Sequence, residues 1–382
     1  MKLKILTGLL VVFFCMASAY ATLGSADNPA ASTAGKSQKA TATVPDKDNF
    51  KSDLQTPAMM SSLASKTLLN GITTAGKRVI AVGQRGHIVY SDDGGKSWTQ
   101  VKVPVSVDLT AVYFPTPQKG WAVGQDGVVL HSTDGGLTWA LQMDGSRVCQ
   151  IMNKCYEDHS SSEGTDAQGA QKRQEDIRFL IKQGPVFPFL DVWFENDLNG
   201  FVVGAFNLIF HTTDGGKTWN PWFDRTENPD GLHLYSIRPA GGDLFISGEL
   251  GLVLKFDRKT EHFKRIDTGY KGTFFGVLGE PGSVLVFGLR GHIYRSADGG
   301  ARWQEVSSGE NDGIFGGTVM KDGRIVLVTQ SGKVLLSSNG GSSFTRVKRD
   351  TGLRVPACAV TAVDNNTLVV AGMTGIEMQK IQ

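Results

Sequence analysis

The sequence predicts an all-β fold, a seven-bladed β-propeller in which four-stranded blades close into a ring. Of the 382 residues, 47 are Gly and only 13 are Pro, which favours many tight turns between short strands. An eight-residue pattern recurs five times along the chain. A Gly-x-x-Gly turn also recurs, about every 40 to 45 residues, and this is the period of a four-stranded blade.

The eight-residue pattern starts with Ser or Thr, has Asp-Gly-Gly or a close variant at its centre, and ends in an aromatic residue. The first copy spans residues 91–98, and the weakest copy has Asn339 in place of Asp and ends in Phe344. Asp can accept N–H bonds inside such a turn, and paired Gly takes positive φ without strain. We therefore expect a structural role for Asp93, Asp134, Asp214, Asp298, Trp98, Trp139, Trp219 and Trp303.

The Gly-x-x-Gly turn joins two apolar strands, which we name b and c in a blade with strands a to d. Its last position falls at Gly86, Gly127, Asn207, Gly251, Gly291, Gly332 and Gly375. The interval between the second and third turns is about twice the others. An eighth blade or an insertion would explain it. Residues 143–187 contain no alternating strand, so we predict an insertion between blades 2 and 3.

The last unit contains three predicted strands and lacks a fourth. We expect an N-terminal strand within 54–62 to complete it and close the last blade, because an open ring would leave exposed strand edges. The propeller is then predicted over residues 53–382. Residues 22–52 are rich in Ala, Ser, Thr and Lys, which predicts a flexible linker.

The N-terminus resembles a secretory signal peptide, predicted over residues 1–21. Lys2 and Lys4 precede an apolar run that ends at an Ala-x-Ala site, Ala19 and Ala21. The alternative is a membrane anchor, but the run is shorter than the ~20 residues that a span needs. We therefore expect an exported protein that is peripheral to the membrane and does not span it.

Charge and cysteine content narrow the function further. The 39 basic and 37 acidic residues leave a net charge of +2, which gives no electrostatic case for a nucleic-acid partner. In an oxidising compartment, Cys149 and Cys155 are close enough in sequence to form a small disulfide loop. No metal motif or cofactor motif is present, so neither is expected.

The eight-residue pattern resembles the Asp-box, or bacterial neuraminidase repeat, which is specific for propellers but not for one chemistry. The longer units, with residues 109–114 followed by 120–127 and a second example at 190–194 and 200–204, are similar to the photosystem II stability/assembly factor family. This resemblance implies an exported, non-enzymatic scaffold that assists assembly of a membrane protein complex, in the periplasm or, in a phototroph, the thylakoid lumen. Related propellers also occur in non-photosynthetic bacteria, where a membrane exporter is an alternative partner.

The b–c turns and d–a connections are predicted to share one face of the ring, the usual ligand face of propellers. Side chains that differ between equivalent turns are the candidate partner-binding residues. They are Gln84, Arg85, Gln125, Asp126, Glu249, Arg290 and Gln330, together with Arg349 and Arg354 from a basic cluster. The family resemblance implies an arginine-rich binding patch, for which Arg85, Arg290, Arg349 and Arg354 are candidates.

The alternative function is a carbohydrate-active propeller, either sialidase-like or another glycoside hydrolase. A sialidase site needs three Arg residues that hold a carboxylate and a Tyr nucleophile beside a Glu. Tyr235, Tyr270 and Glu249 are possible members, but the Arg motif has one look-alike, at Arg354, in the wrong place. No catalytic residue is therefore predicted. A glycan-binding adhesin is a third possibility.

Overall fold

A computed structural model describes residues 52–160, 187–348 and 356–381 of the chain. From Asp53 onward the described residues form one compact unit. The predicted signal peptide, nearly all of the predicted linker, and the two candidates Arg349 and Arg354 lie outside the described residues. All the strands of the propeller belong to the unit that begins at Asp53.

The described residues form seven antiparallel sheets, each built from consecutive strands. Blade 1 contains β1 (Leu69–Ala75), β2 (Arg78–Gly83), β3 (Ile88–Ser91) and β4 (Thr99–Gln100). Blade 2 contains β5 (Leu109–Tyr113), β6 (Gly120–Gly124), β7 (Val129–Ser132) and β8 (Ala140–Met143). Blade 3 contains β9 (Phe189–Phe194), β10 (Gly200–Gly204), β11 (Ile209–Thr212) and β12 (Asn220–Pro221).

The second half of the chain repeats this order. Blade 4 contains β13 (Leu234–Ala240), β14 (Asp243–Gly248), β15 (Val253–Asp257) and β16 (His262–Ile266). Blade 5 contains β17 (Phe274–Glu280), β18 (Ser283–Gly288), β19 (Ile293–Ser296) and β20 (Gln304–Val306). Blade 6 contains β21 (Ile314–Val319), β22 (Ile325–Thr329), β23 (Val334–Ser337) and β24 (Thr345–Arg346). Blade 7 contains β25 (Ala357–Ala362), β26 (Thr367–Gly372) and β27 (Gly375–Lys380).

The inner strand a of each blade packs against the inner strand of the next blade, and β25 of blade 7 packs against β1 of blade 1. Strands b are buried throughout or nearly so, for example Ser283–Gly288. The apolar layers between blades form the core, and the prediction of a seven-bladed all-β propeller is confirmed.

Each b–c turn is bonded to the inner strand of its own blade. In every blade the backbone N–H that follows strand b donates to the carbonyl oxygen just before strand a, over 2.7 to 3.2 Å. The donor–acceptor pairs are Gln84–Leu68, Gln125–Asp108, Ala205–Pro188, Glu249–His233, Leu289–Thr273, Gln330–Gly313 and Met373–Pro356.

The last residue of strand b lies so close to this carbonyl that five blades require Gly there. A Cβ at Gly124 would collide with the carbonyl oxygen of Asp108, and Gly83, Gly204, Gly248 and Gly288 face equivalent collisions. The backbone at Gly124 is extended, with φ −169°. It is therefore the lack of space, rather than an unusual φ, that selects Gly at these positions.

The Asp-box turns connect strands c and d and are held by their own Asp. The Oδ1 atom of Asp93 accepts N–H bonds from Lys96 and Ser97, at 2.9 Å each, and its Oδ2 atom accepts the Ser97 hydroxyl at 2.6 Å. Trp98 donates its ring N–H to the carbonyl of Gly95 over 3.0 Å. The bonds from Ser97 hold the pKa of Asp93 well below its usual range. Asp134, Asp214 and Asp298 accept the same turn bonds, so these Asp residues act within single turns.

The predicted closure by an N-terminal strand is wrong for the described residues, because the seventh sheet there has three strands. Residues 54–62 contain no strand and lie instead along the outer edge of blade 1. Ala58 donates its N–H to the carbonyl of Val103 over 3.0 Å, and Gln100 donates its side-chain amide to the carbonyl of Met59. The short 3₁₀ turn Ala64–Lys66 then reaches β27 of blade 7. The ring therefore closes by packing of β25 on β1.

The region after β8 contains a helix that the sequence did not predict, α1 (Gly145–Ser160). Its apolar side chains Val148 and Met152 are buried against Phe187 and Phe189. The predicted disulfide is not formed, since Cys149 is a free thiol. The six-residue spacing along the helix separates the two Cα atoms by about 9 Å of rise, too far for a disulfide. No described helix is long and apolar enough to cross a membrane.

Replacing Gly124 by Ala is expected to lower the free energy of unfolding by about 3 kcal/mol, since the new Cβ has no space beside Asp108. Gly94→Ala is the control, because a Cβ there meets nothing within 4 Å. Its positive φ should cost about 1 kcal/mol. Urea denaturation measures both variants. Equal losses would contradict the close-approach explanation.

Candidate functional site

The b–c turns and the d–a connections lie together on one face of the ring, which we call the ligand face. Asp108, at the end of a d–a connection, accepts the backbone N–H of Arg85 at its carboxylate over 2.7 Å and that of Gln125 at its carbonyl over 2.9 Å. Gly127 donates its N–H to the carbonyl of Phe187, just before β9. Helix α1 begins beside the same turn of blade 2.

Five b–c turns have a non-Gly residue with left-handed backbone at their tip. These tip residues are Arg85, Asp126, Phe206, Leu250 and Arg290, with φ between 51° and 57°. Such a backbone is uncommon for non-Gly residues and an outlier for bulky ones. The turn is fixed by the backbone bond to the inner strand, so the tip side chain is not needed to hold it. The chemistry of the tips therefore varies from blade to blade.

The predicted partner-binding residues are found on this face where the structure describes them. Arg85 and Arg290 are exposed tip residues on blades 1 and 5 and form no ion pair with the described part of the chain. Gln330 is exposed on blade 6, and the remaining candidates are partly exposed, namely Gln84, Gln125, Asp126 and Glu249. The two arginines belong to separate sectors of the ring and do not form one cluster.

Blade 4 brings together an imidazole, a phenol and a carboxylate, those of His233, Tyr235 and Glu249. The Nδ1 atom of His233 accepts the backbone N–H of Phe206 over 2.8 Å, and the backbone N–H of His233 donates to the carboxylate of Glu249 at 3.4 Å. Burial lowers the pKa of His233. Burial also raises the pKa of Tyr235, and the charge of Glu249 raises it further. A raised pKa is the opposite of what a phenolate nucleophile requires.

A row of aromatic side chains lies on this part of the ligand face. The sequence did not predict it. It consists of the rings of Phe206, His233, Tyr235, Phe275 and Phe315, which belong to blades 3 to 6 and the connections between them. The Phe206–His233 centroids lie 4.7 Å apart, Tyr235–Phe275 5.6 Å, and Phe275–Phe315 4.6 Å with stacked planes. The His233–Tyr235 centroids, 6.2 Å apart, complete the row.

Three members of the row occupy equivalent positions in the repeat. Each inner strand has a β-bulge at its second residue, beside the b–c turn. The bulged residue is Tyr235 in blade 4, Phe275 in blade 5 and Phe315 in blade 6, whereas blades 1 and 2 have Asn70 and Thr110 there. Bulges commonly redirect a side chain near a binding site. A comparison of bulge positions between repeats could have found this signal.

A cleft of about 540 Å³ lies on blade 5 beside Arg290. It is lined by the b–c turn, strand d and the following d–a connection, including His292, Glu305 and Glu310. His292 pairs with Glu305 over 2.6 Å, and Lys333 pairs with Glu310 over 2.5 Å. Lys333 thus provides a positive charge beside Glu310, whereas Arg290 forms no ion pair with the described residues.

No group of three or more described His, Cys, Asp or Glu side chains could hold a metal ion. The Asp-box carboxylates lie on separate blades and accept bonds within their own turns, so they do not converge on one centre. The Asp-box carboxylates of the described residues therefore build turns and do not form a shared site.

The chain matches a family model described as photosynthesis system II assembly factor Ycf48, over residues 60–146 and 181–272. It is 30% identical over 119 residues to the photosystem II assembly lipoprotein Ycf48 of a Synechococcus species, which is 30% of this chain and 35% of that protein. The chain thus matches about a third of that relative's length. The predicted resemblance to photosystem II assembly factors is confirmed.

Solved structures show the same fold. Ycf48 bound to a D1 peptide has a TM-score of 0.59 at 15% identity, covering 84% of this chain and 95% of that one. A GH74 enzyme of Niastella koreensis has a TM-score of 0.57 at 16% identity, covering 83% of this chain and 53% of that one. At these identities the similarity establishes the propeller fold alone.

We expect His233 to make the stability of the propeller depend on pH. Its pKa in the folded state lies below the ordinary value of 6.5, so the unfolded chain binds the proton first. The contribution of His233 to the free energy of unfolding should therefore be complete above pH 6.5 and fall as the pH drops below it.

We expect His233→Asn to flatten this pH dependence, because Asn does not titrate and its amide oxygen can accept the Phe206 N–H. Urea denaturation of both proteins between about pH 7 and pH 5 gives the slopes. His87, His131 and His211, which also have lowered pKa values, titrate in both proteins and cancel in the comparison. Identical slopes would show that His233 does not contribute.

Proposed function

Starting from a propeller that resembles the photosystem II assembly factors, we propose that this chain is an exported, non-enzymatic scaffold that binds a membrane protein and assists assembly of its complex. The ligand face is the proposed binding surface. The protein would act in the periplasm, or in the thylakoid lumen of a phototroph, peripheral to the membrane. The partner is either a photosystem subunit or, in a non-phototroph, a protein such as a membrane exporter.

The observation that carries this proposal is the difference between the side chains of the two faces. On the opposite face, side chains such as Asp93 and Trp98 are bonded within repeated turns. On the ligand face, tip side chains differ from blade to blade, and three of them, Arg85, Leu250 and Arg290, are exposed. A similar propeller has been solved with a D1 peptide bound, which supports a polypeptide as the class of ligand.

The unpaired arginines of this face favour an acidic group in the partner. Arg85 and Arg290 have no described ion-pair partner, so an incoming carboxylate would not have to displace one. Arg can bind a carboxylate through two parallel N–H bonds. Arg349 and Arg354 remain candidates for the same role from the sequence alone.

Replacing Arg85 and Arg290 together by Asn should reduce capture of the membrane protein partner from solubilised membranes at least about tenfold, since each charge lost from such a contact costs on the order of 1 kcal/mol or more. Asn suits the left-handed backbone at both positions, so the thermal midpoint should not change. Crosslinking followed by mass spectrometry identifies and quantifies the captured partner.

The matched control removes two lysines from the Asp-box face, Lys96→Asn with Lys217→Asn. Both lysines are exposed, and this pair of changes alters the net charge equally. Equal capture by the arginine variant and wild type would reject this site. Capture of no membrane protein by wild type would reject the scaffold function itself.

A glycoside hydrolase is the second candidate, because Glu249 and Tyr235 lie close enough for the carboxylate to act on the Tyr pKa. The raised pKa argues against Tyr235 as a nucleophile, and Tyr270 donates its hydroxyl to the carbonyl of Leu289 over 3.3 Å. We expect no hydrolysis of a panel of sialosides and β-glucans, measured by release of reducing sugar. Turnover abolished by Glu249→Gln, Tyr235→Phe or Tyr270→Phe would replace the scaffold function with catalysis.

A further inference from the structure

The tip residues of four consecutive blades have an ordered chemistry. Around the ring, blade 2 presents Asp126, blade 3 Phe206, blade 4 Leu250 and blade 5 Arg290. The order is therefore acidic, apolar, apolar and basic. Leu250 is 55% exposed, so its side chain is open to a ligand.

The two apolar tips are adjacent to the aromatic row. Phe206 is itself the first member of the row, at 4.7 Å from His233. Leu250 follows Glu249, whose carboxylate lies near Tyr235 and His233. Tyr235 and Phe315 are partly exposed, whereas Phe275 between them is almost buried. Beyond the two tips, exposed ring surface on the inner strands therefore comes from Tyr235 in blade 4 and Phe315 in blade 6.

Phe206 is held in place by a network of polar groups. Its N–H donates to His233, and the next residue, Asn207, accepts bonds from Thr226 and Asn228 at 3.0 Å each. Asn207 also donates its backbone N–H to the carbonyl of Leu232 over 3.2 Å. A tip fixed in this way loses little conformational freedom when a ligand binds, which favours affinity.

The charges at the two ends of this arc are not neutralised by ion pairs in the described chain. Burial raises the pKa of Asp126, and the nearby carboxylates of Asp53 and Asp108 raise it further. A local excess of negative charge favours a cation at this end. At the other end, the turn of Arg290 is bonded to Thr273, two residues before Phe275 of the aromatic row.

We propose that blades 2 to 5 form a binding arc for an extended polypeptide segment with a basic residue at one end, two large apolar residues in its centre and an acidic residue at the other end. The basic residue binds at Asp126, the apolar side chains pack on Phe206, Leu250 and the aromatic row, and the acidic residue binds at Arg290. This inference rests on the proposed function, since it specifies the segment of the partner that the ligand face recognises.

The test uses the full chain and short fluorescein-labelled synthetic peptides, with fluorescence anisotropy as the readout. One peptide set has Lys, two Leu or Phe residues and Glu in this order, with the number of intervening residues varied. Three matched sets have Ser in place of the apolar residues, two acidic ends, or two basic ends. We expect the first set to contain a peptide that binds at least about tenfold more tightly than its three matched counterparts.

The variants identify which side chains of the protein recognise each residue type of the peptide. Phe206→Asn with Leu250→Asn should remove the preference for apolar centres, and Asn retains the left-handed turn. Arg290→Asn should remove the preference for an acidic end, and Asp126→Asn the preference for a basic end. The control is Leu137→Asn, which removes an apolar residue that is 42% exposed on the Asp-box face. It should keep all three preferences.

Each result supports or overturns the binding arc. A preference for apolar centres that survives in the Phe206/Leu250 variant would overturn it, as would equal binding of all peptide sets. In either case, capture of a membrane protein that depends on Arg85 and Arg290 would leave the scaffold function intact. Binding of β-glucans without binding of any peptide would overturn both, and would favour glycan stacking on the aromatic row.

Discussion

The backbone bond between each b–c turn and its own inner strand is the contact on which the rest of this propeller depends. It occurs in all seven blades, with the N–H after strand b donating to the carbonyl before strand a. The bond pulls the end of strand b onto the inner strand so closely that a Cβ at Gly83, Gly124 or Gly248 would collide with that carbonyl. In five blades Gly at this point is a requirement of space, and it explains why the turn marker recurs in their sequences.

The same contact explains how one face became available for recognition. Because the turn is fixed by backbone bonds, the side chain at its tip is not constrained by the fold. Arg85, Asp126, Phe206, Leu250 and Arg290 share a left-handed backbone but no common chemistry. The Asp-box turns behave differently, since there the Asp side chain itself supplies the bonds. One face is therefore uniform in sequence and the other is variable, for physical reasons that lie in the two kinds of turn.

The repeats predicted the ring well because each blade is a local unit. Strand order, the b–c turns and the Asp-boxes all depend on residues within about 45 positions of one another. The predictions that were wrong concern contacts between segments that are distant in sequence or do not repeat. Residues 54–62 were expected on blade 7 but bind along blade 1, where the carbonyl of Val103 accepts a backbone bond from them. The helix α1 separates Cys149 from Cys155, and no repeat indicated that helix.

By itself, the sequence determined the number of blades, the turn chemistry and the face on which the variable residues lie, because periodic Gly and Asp impose the same backbone in each unit. Only the tertiary structure decided which variable residues become neighbours. Tyr235, Phe275 and Phe315 are about 40 residues apart along the chain, yet their rings touch because inner strands of successive blades pack side by side and bulge at the same point. Neither hydrophobic periodicity nor turn motifs encode that contact, since it arises from the packing of successive inner strands.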